Sequence, residues 1–183
     1  MYPSLCHESS HDRIHDWIMA ESKVSHARAA LADARHVRAK LEDELDLREW
    51  RLLWVLTLTL LRVVGHVLDK VDAKSSADVR TVVSRLYAEW KKAPAHVVFH
   101  AFIKAERDLI LKEYRTSLVD GPVFIVPTDG DVADLDQMFD LADENLFRPL
   151  SDGPFAGEDG RDVLDQALEW WETQLDRIDM ETS

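Results

Sequence analysis

The sequence predicts an all-α protein with an up-down four-helix bundle core and an irregular acidic C-terminal extension that ends in a helix. Apolar residues recur at steps of three and four over most of the first 118 residues, which is the spacing of amphipathic helices. Only short connections separate these segments, and short connections favour antiparallel neighbours. After residue 120 the sequence becomes acidic and rich in turn residues. We therefore expect a helical bundle over residues 1–120 and an extension packed on it over residues 121–183.

Four long helices are expected in the bundle. Their ranges follow from apolar periodicity and from cap and stop signals: residues 11–47, 46–71, 76–92 and 95–118. The second is apolar nearly all round, which is typical of a helix covered on more than one side. The extension is expected to hold a short extended piece, a short helix, a loop and a final helix, over residues 123–126, 131–147, 149–160 and 162–178.

Composition and cysteine content indicate a cytoplasmic protein. The chain has 183 residues, 46% of them apolar, which is enough to bury a core without covalent staples. The single cysteine, Cys6, excludes an intrachain disulfide and a Cys-rich zinc site, and it suits a reducing compartment. The first 20 residues lack the apolar stretch of a secretory signal. The longest apolar run, residues 52–61, is about half of the roughly 20 residues in a membrane span, so we expect no membrane contact.

The net charge of −13 belongs to the end of the chain. Residues 1–127 hold 18 acidic and 19 basic side chains, whereas residues 128–183 hold 17 acidic and three basic ones. The first part could therefore still present a basic patch to nucleic acid. The acidic part is either a solvated, solubilising segment or an element that masks a basic surface, in cis or on a partner.

The fourth helix carries the strongest functional pattern. On a helical wheel, one face holds Phe99, Phe102, Ile103 and Ile110, together with Glu106 and Glu113. The opposite face holds a charge ladder of Lys104, Asp108, Lys112 and Arg115. His100, Arg107 and Tyr114 recur every seven residues between these faces, so a regular α-helix places them on a single flank.

Residues 107–114, with the sequence RDLILKEY, resemble the signature of HEPN domains (higher eukaryotes and prokaryotes nucleotide-binding). That signature is an Arg, a polar residue, three further residues, a His, one residue and often a Tyr, in a late helix of a helical bundle. Arg107, Asp108 and Tyr114 match it, whereas Lys112 stands where the family has its His. The resemblance implies a homodimer whose facing motifs form a metal-independent cleft that cleaves or binds RNA, in a prokaryotic defence or toxin–antitoxin system.

The replacement of His by Lys112 predicts that catalysis is lost or altered. A neutral imidazole can remove a proton near pH 7, whereas an ordinary lysine is already protonated there. Asp108, four residues earlier, favours the charged ammonium, so Lys112 is suited to holding phosphate. His100 is a conceivable substitute base. The candidate site is therefore Arg107, Asp108, Lys112, Tyr114 and His100.

Other patterns leave alternatives open. The sets His7, His11, His15 and His96, His100 have the i, i+4 spacing of metal ligands, but solvated or core-edge histidines are the simpler explanation, so no metal site is expected. Glycine-rich phosphate loops and other nucleotide-cofactor motifs are absent from the sequence, so no cofactor is expected. The competing function is a non-enzymatic acidic interaction module. Its final helix, with Trp170 and Trp171, would dock on a protein partner.

Overall fold

The computed structural model describes residues 22–119 and 147–183. Helices make up 77% of this part, which contains no strand, so the all-α prediction is confirmed. Its five longer helices are α1 (Ser25–Ala39), α2 (Leu47–Val67), α3 (Ala77–Trp90), α4 (Lys104–Glu113) and α5 (Gly160–Thr182). The expected elements over residues 123–126 and most of the expected helix over residues 131–147 lie outside the described residues.

The boundary between α1 and α2 is set by a capping box. Helix α1 ends at Ala39, followed by a 3₁₀ turn over Lys40–Glu42, so the first helix stops earlier than predicted. The side chain of Asp46 accepts a hydrogen bond from the backbone N–H of Glu49 at 2.8 Å, and the Glu49 carboxylate approaches the Asp46 N–H in return. These reciprocal bonds satisfy two amides at the start of α2 and fix where it begins.

Helix α2 continues beyond Val67 as a π-helical segment, Leu68–Asp72, and a final turn, Ala73–Ser75. Buried Asp72 accepts hydrogen bonds from the backbone N–H of Ala27, at 2.9 Å, and from Nδ1 of His26, at 2.8 Å. Asp72 therefore anchors the first turn of α1, whose leading N–H groups have no partner within the helix.

Helix α2 is buried on one face only. Its buried side chains are Trp50, Trp54, Thr57, Leu58, Leu61 and Val64. Leu52 and Leu56, in contrast, are 52% and 43% exposed. By length and composition the stretch Leu47–Ser75 could also cross a membrane, a property that core helices of water-soluble proteins share. The helix expected to be covered on several sides thus leaves an apolar face open in the described chain.

The fourth predicted helix is shorter and less regular than expected. It consists of a 3₁₀ turn (Pro94–His96), a π-helical segment (Val98–Ile103) and α4. Tyr114 adopts the left-handed conformation, with φ 52°, and its N–H bonds to the carbonyl of Ile110. This left-handed cap ends the helix at Glu113, so the predicted continuation to residue 118 is wrong.

Helix α5 belongs to the same hydrophobic core as the helices that precede it. Trp171 is 1% exposed and Trp170 is 9% exposed. With Trp90 of α3 they form a cluster whose ring centroids lie 4.8 to 5.6 Å apart. Mostly edge-to-face rings at this spacing attract one another in addition to the area they bury. The last helix therefore packs between the others through its largest side chains.

Ion pairs hold the acidic face of α5 against α1. Arg28, only 11% exposed, contacts Glu172, Asp176 and Asp179 at 3.0, 2.7 and 2.8 Å. Burial alone would lower the pKa of Arg28, but hydrogen bonds from its guanidinium to Asp176 and Asp179 raise it overall. Two further pairs join the same helices, Arg35–Glu172 and Arg38–Asp165. Much of the acidity of the last helix is thus balanced in cis by arginines of α1.

Candidate functional site

Three of the predicted site residues form one charged group on α4. Arg107 donates from Nη1 to Oδ1 of Asp108 at 2.6 Å, and Nζ of Lys112 lies 3.5 Å from Oδ2. The hydrogen bond from Arg107, with the charge of Lys112, lowers the pKa of Asp108 although partial burial opposes it. Arg107 is 40% exposed and Lys112 is 72% exposed. The group therefore carries one net positive charge at the protein surface.

Tyr114 is held by an arginine of another helix. The guanidinium of Arg51, in α2, lies 4.5 Å from the centre of the Tyr114 ring. Its Nη2 also donates to the Tyr114 carbonyl oxygen at 2.6 Å. A guanidinium over an aromatic face is an attractive arrangement, and here the backbone bond fixes it. The Tyr114 residue is still 66% exposed, so much of its ring surface remains open.

The left-handed cap takes Tyr114 out of line with Arg107. On a continuous α-helix, two residues seven positions apart point the same way, but the helix ends one residue before Tyr114. Arg107 and Tyr114 share no hydrogen bond or ring contact in the described chain. The structure thus brings Arg107, Asp108 and Lys112 together and pairs Tyr114 with Arg51 instead.

His100 lies in the π-helical segment before α4. A π-helix bonds residues five apart rather than four, so a wheel of 3.6 residues per turn does not hold across it. The Nε2 atom of His100 is buried and has no hydrogen-bond partner among the described residues. His100 also makes no hydrogen bond to Arg107 or Lys112. No histidine among the described residues is hydrogen-bonded to the charged group.

The two glutamates of the fourth helix differ in burial. Glu106 is 4% exposed and accepts a hydrogen bond from the backbone N–H of Ser117 at 3.3 Å. Burial raises the pKa of Glu106, and the negative charge of Asp152 adds to this, while Ser117 opposes it. Glu113, by contrast, is exposed and lies 3.6 Å from Arg115. Only Glu106 is therefore buried among core side chains.

His96 has a structural role that accounts for its position. Trp170 donates its indole N–H to Nδ1 of His96 at 3.0 Å, and Nε2 lies 3.2 Å from Oε1 of Glu89. Hydrogen bonds from His96 and from Arg177 lower the pKa of Glu89. Across the described residues, no group of three or more His, Cys, Asp or Glu side chains could hold a metal ion. His7, His11 and His15 lie outside those residues.

Arg51 is the functional candidate that sequence reasoning missed. It lies 63 positions from Tyr114 in the sequence, and no local pattern connects the two. The available signal is that Arg48 and Arg51 share one side at the start of an otherwise apolar helix. Both are exposed, and neither forms an ion pair with a described residue. This side of α2 adds positive charge close to Tyr114.

Comparison with known proteins gives no match: the chain matches no family model, no curated protein and no solved structure. The fold and the site therefore define a class only by their own geometry. That class is an all-α protein with an exposed arginine–tyrosine pair at the end of α4, a helix that also carries the charged group of Arg107, Asp108 and Lys112.

Proposed function

We propose that this chain is a HEPN-like protein that binds single-stranded RNA or nucleotides without cleaving them. In this proposal it is an up-down helical bundle that acts in the cytoplasm as a homodimer, in a prokaryotic defence or toxin–antitoxin system. The observation that carries the proposal is the contact between Arg51 and Tyr114. It presents an aromatic ring and a guanidinium together at the surface, 4.5 Å apart.

This arrangement suits a nucleobase and its phosphate. Proteins hold single strands by stacking bases on aromatic rings beside positive charge, and each stacked base contributes about 1–3 kcal/mol. Tyr114 offers the ring, and Arg51 fixes it from the neighbouring helix. Arg107 and Lys112 add cations on α4, where both contact Asp108.

The same geometry favours binding over cleavage. Transfer of the 2′-hydroxyl proton needs a base within hydrogen-bond reach, about 2.6–3.2 Å. His100 has its Nε2 buried, and Nζ of Lys112 lies 3.5 Å from Oδ2 of Asp108. The described residues supply charge and a stacking surface, but they position no neutral base beside them.

The binding test is fluorescence anisotropy of a labelled short single-stranded RNA at fixed salt. We expect Tyr114→Ala to weaken binding by about tenfold and Tyr114→Phe to leave it nearly unchanged, because the ring is retained. Arg51→Gln should weaken binding as well. The matched control is Lys104→Gln, an exposed cation on α4 outside the charged group. No RNA binding by the natural chain, or an equal loss in all four variants, would contradict the proposal.

Cleavage is tested on the same RNA by gel electrophoresis. Intact RNA after prolonged incubation is expected. RNA cut by the natural chain but not by His100→Ala would show that His100 acts as a base, and the non-catalytic part of the proposal would then be wrong.

A protein-interaction module is the second candidate, and the open face of α2 favours it. Trp170 and Trp171 are buried, so a partner could reach them only if α5 left the core. Leu52 and Leu56 are exposed instead, one turn apart. If this face joins two copies of the chain, Leu56→Glu should convert a dimer into a monomer in sedimentation velocity. A natural chain that is monomeric at high concentration would exclude this interface.

A further inference from the structure

A cavity of about 370 Å³ opens between α2 and α3, away from the charged group of α4. This volume lies within the range of small-molecule sites, roughly 300–1,000 Å³. Aromatic side chains contributed by three parts of the chain line it: Tyr87, Trp90, Phe99 and Trp171. We call this the aromatic cavity. Its residues are all among the described ones and none belongs to the site considered above.

Positive charge lies beside these rings. Arg62 lines the aromatic cavity, is partly buried and forms no ion pair with any described residue. Lys70, also in the lining, is already paired with Asp69 at 2.7 Å. Most arginines that pack against other helices of this protein have carboxylate partners, as Arg28 does. The positive charge of Arg62 is therefore not neutralised by a carboxylate of the described residues.

Gly65 allows Arg62 and Trp171 to approach each other. A Cβ atom at position 65 would lie 2.9 Å from Cη2 of Trp171 and 3.5 Å from Nη1 of Arg62. Both groups thus approach the same point on α2, and any larger side chain there would separate them. The indole Nε1 of Trp171 is buried without an acceptor among the described residues. Nε1 lies on the same edge of the Trp171 indole as Cζ2, and Cζ2 lies 3.1 Å from the position that a Cβ atom of residue 65 would take.

Both π-helical segments of the described chain contribute to this cavity. Leu68, Asp69 and Lys70 come from the first segment, and Phe99 comes from the second. π-Helical turns make up well under 1% of residues in globular proteins and are frequent at functional sites. The backbone irregularity that sequence periodicity does not predict is thus concentrated around one cavity.

We propose that the aromatic cavity binds a small, planar aromatic compound that carries an acidic group. The ring of this compound lies against Tyr87 and over the edges of Trp90, Phe99 and Trp171 that face the cavity, and its anionic group pairs with Arg62. A charge-assisted bond to a partly buried guanidinium contributes more than a neutral bond, so the acid adds affinity as well as orientation. The site is separate from Tyr114 and Arg51, and its existence does not depend on RNA binding.

Three probes distinguish the contribution of the acidic group from that of the aromatic ring, and their binding to the whole chain is measured by isothermal titration calorimetry. Naphthalene-2-carboxylate has both features, naphthalene-2-carboxamide lacks the charge, and cyclohexanecarboxylate lacks the aromatic ring. We expect saturable binding of the first with a Kd of about 1 mM or tighter, from the usual limits of affinity per atom. The other two probes should bind about tenfold more weakly or not at all.

Arg62→Gln supplies the matching protein variant. It should weaken binding of the naphthalene carboxylate by about tenfold and leave that of the carboxamide unchanged. The control is Arg48→Gln, an exposed arginine of the same helix that does not line the cavity. Nuclear magnetic resonance gives the location, because the indole N–H signals of Trp90 and Trp171 should shift while those of Trp50 and Trp54 stay in place.

Several outcomes would overturn the proposal. No saturable binding of the naphthalene carboxylate is one, and equal binding of carboxylate and carboxamide is another. Shifts confined to Trp50 and Trp54 would place the probe elsewhere. The comparison of the three probes on the natural chain needs no variant, so a failure of Arg62→Gln to fold does not remove the test.

Discussion

Trp170 donates its indole N–H to Nδ1 of His96 at 3.0 Å, and this bond fixes the tautomer of the imidazole. An indole nitrogen can only donate, so Nδ1 must carry the lone pair and Nε2 the proton. The Nε2–H then donates to Oε1 of Glu89, 3.2 Å away. His96 thus links α5 to α3 through its two ring nitrogens.

Removal of His96 should destabilise the fold, and the size of the loss should depend on whether Trp170 is present. In His96→Ala the buried indole of Trp170 loses its acceptor, which lowers the free energy of unfolding by about 1–3 kcal/mol. The double variant with Trp170→Phe should show a coupling of at least about 0.5 kcal/mol in urea denaturation. His36→Ala, on the exposed side of α1, is the control and should change little. Strictly additive effects would contradict the proposed bond.

The buried arginine of the α1–α5 contact should matter far more than its exposed neighbour. Arg28→Met leaves three carboxylates on one face of α5 without the cation that they share and should lower the free energy of unfolding by about 2–4 kcal/mol. Arg35→Met removes a single pair with a 47% exposed arginine and should cost less than about 1 kcal/mol. Thermal unfolding at low and high salt measures both. Equal losses for the two variants would be evidence against the arrangement.

The buried carboxyl group of Glu106 should make the free energy of unfolding depend on pH. Its pKa in the folded chain is raised by burial, so the group stabilises the fold below its ordinary pKa. This contribution is lost as the pH rises through the raised value. Glu106→Gln, which resembles the protonated acid, should therefore be more stable than the natural chain near pH 7, by on the order of 1 kcal/mol. The difference should vanish near pH 4.

The control for this experiment is Glu113→Gln, since Glu113 is exposed. Unfolding curves across the pH range should show no comparable gain for it. A Glu106→Gln variant that is less stable than the natural chain at neutral pH would mean that the carboxylate is favoured in the folded state.

Gly65 should not tolerate even a methyl group. The new Cβ would lie 2.9 Å from Cη2 of Trp171, a ring that is 1% exposed and packs against Trp90 and Trp170. Gly65→Ala should lower the free energy of unfolding by about 1–3 kcal/mol, although alanine is the better helix former. Thr59→Ala, on the exposed side of the same helix, should change it by less than about 0.5 kcal/mol. Differential scanning calorimetry of both variants measures the contrast.

Deletion of residues 128–183 should unfold the chain rather than uncover a surface. The deletion removes α5, whose buried side chains include Trp171, Leu175 and Ile178. Loss of one buried tryptophan alone costs about 3–5 kcal/mol, which is a large part of the stability of a small protein. Far-ultraviolet circular dichroism should show lost helicity. A truncated chain that remains helical and unfolds cooperatively would mean that α5 is dispensable for the core.

Sequence periodicity was a good guide where helices are regular and locally capped. Ser76 caps α3, and Asp46 caps α2, both at the positions that side-chain chemistry indicates. The π-helical segments were missed because they are only five and six residues long, which is too short for their own periodicity to be recognised in the sequence. The end of α4 was missed because Tyr114, and not a glycine, takes the left-handed conformation.

The candidate site could be predicted only in its local part. The pairing of Asp108 with Lys112 follows from a spacing of four on a helix. Arg51 beside Tyr114 depends on how two distant helices pack, which no single stretch of sequence contains. The ion pairs between the acidic face of α5 and α1 could not be predicted for the same reason, since the arginine partners lie more than 120 residues earlier.

The indoles of Trp90, Trp170 and Trp171 are close enough for their electronic transitions to couple. Coupled chromophores in fixed, mostly edge-to-face orientations produce an exciton couplet, which disappears when one of them moves away. Two of the three belong to the final helix and one to α3. The exciton couplet therefore reports whether the final helix is packed against α3, and no attached label is needed.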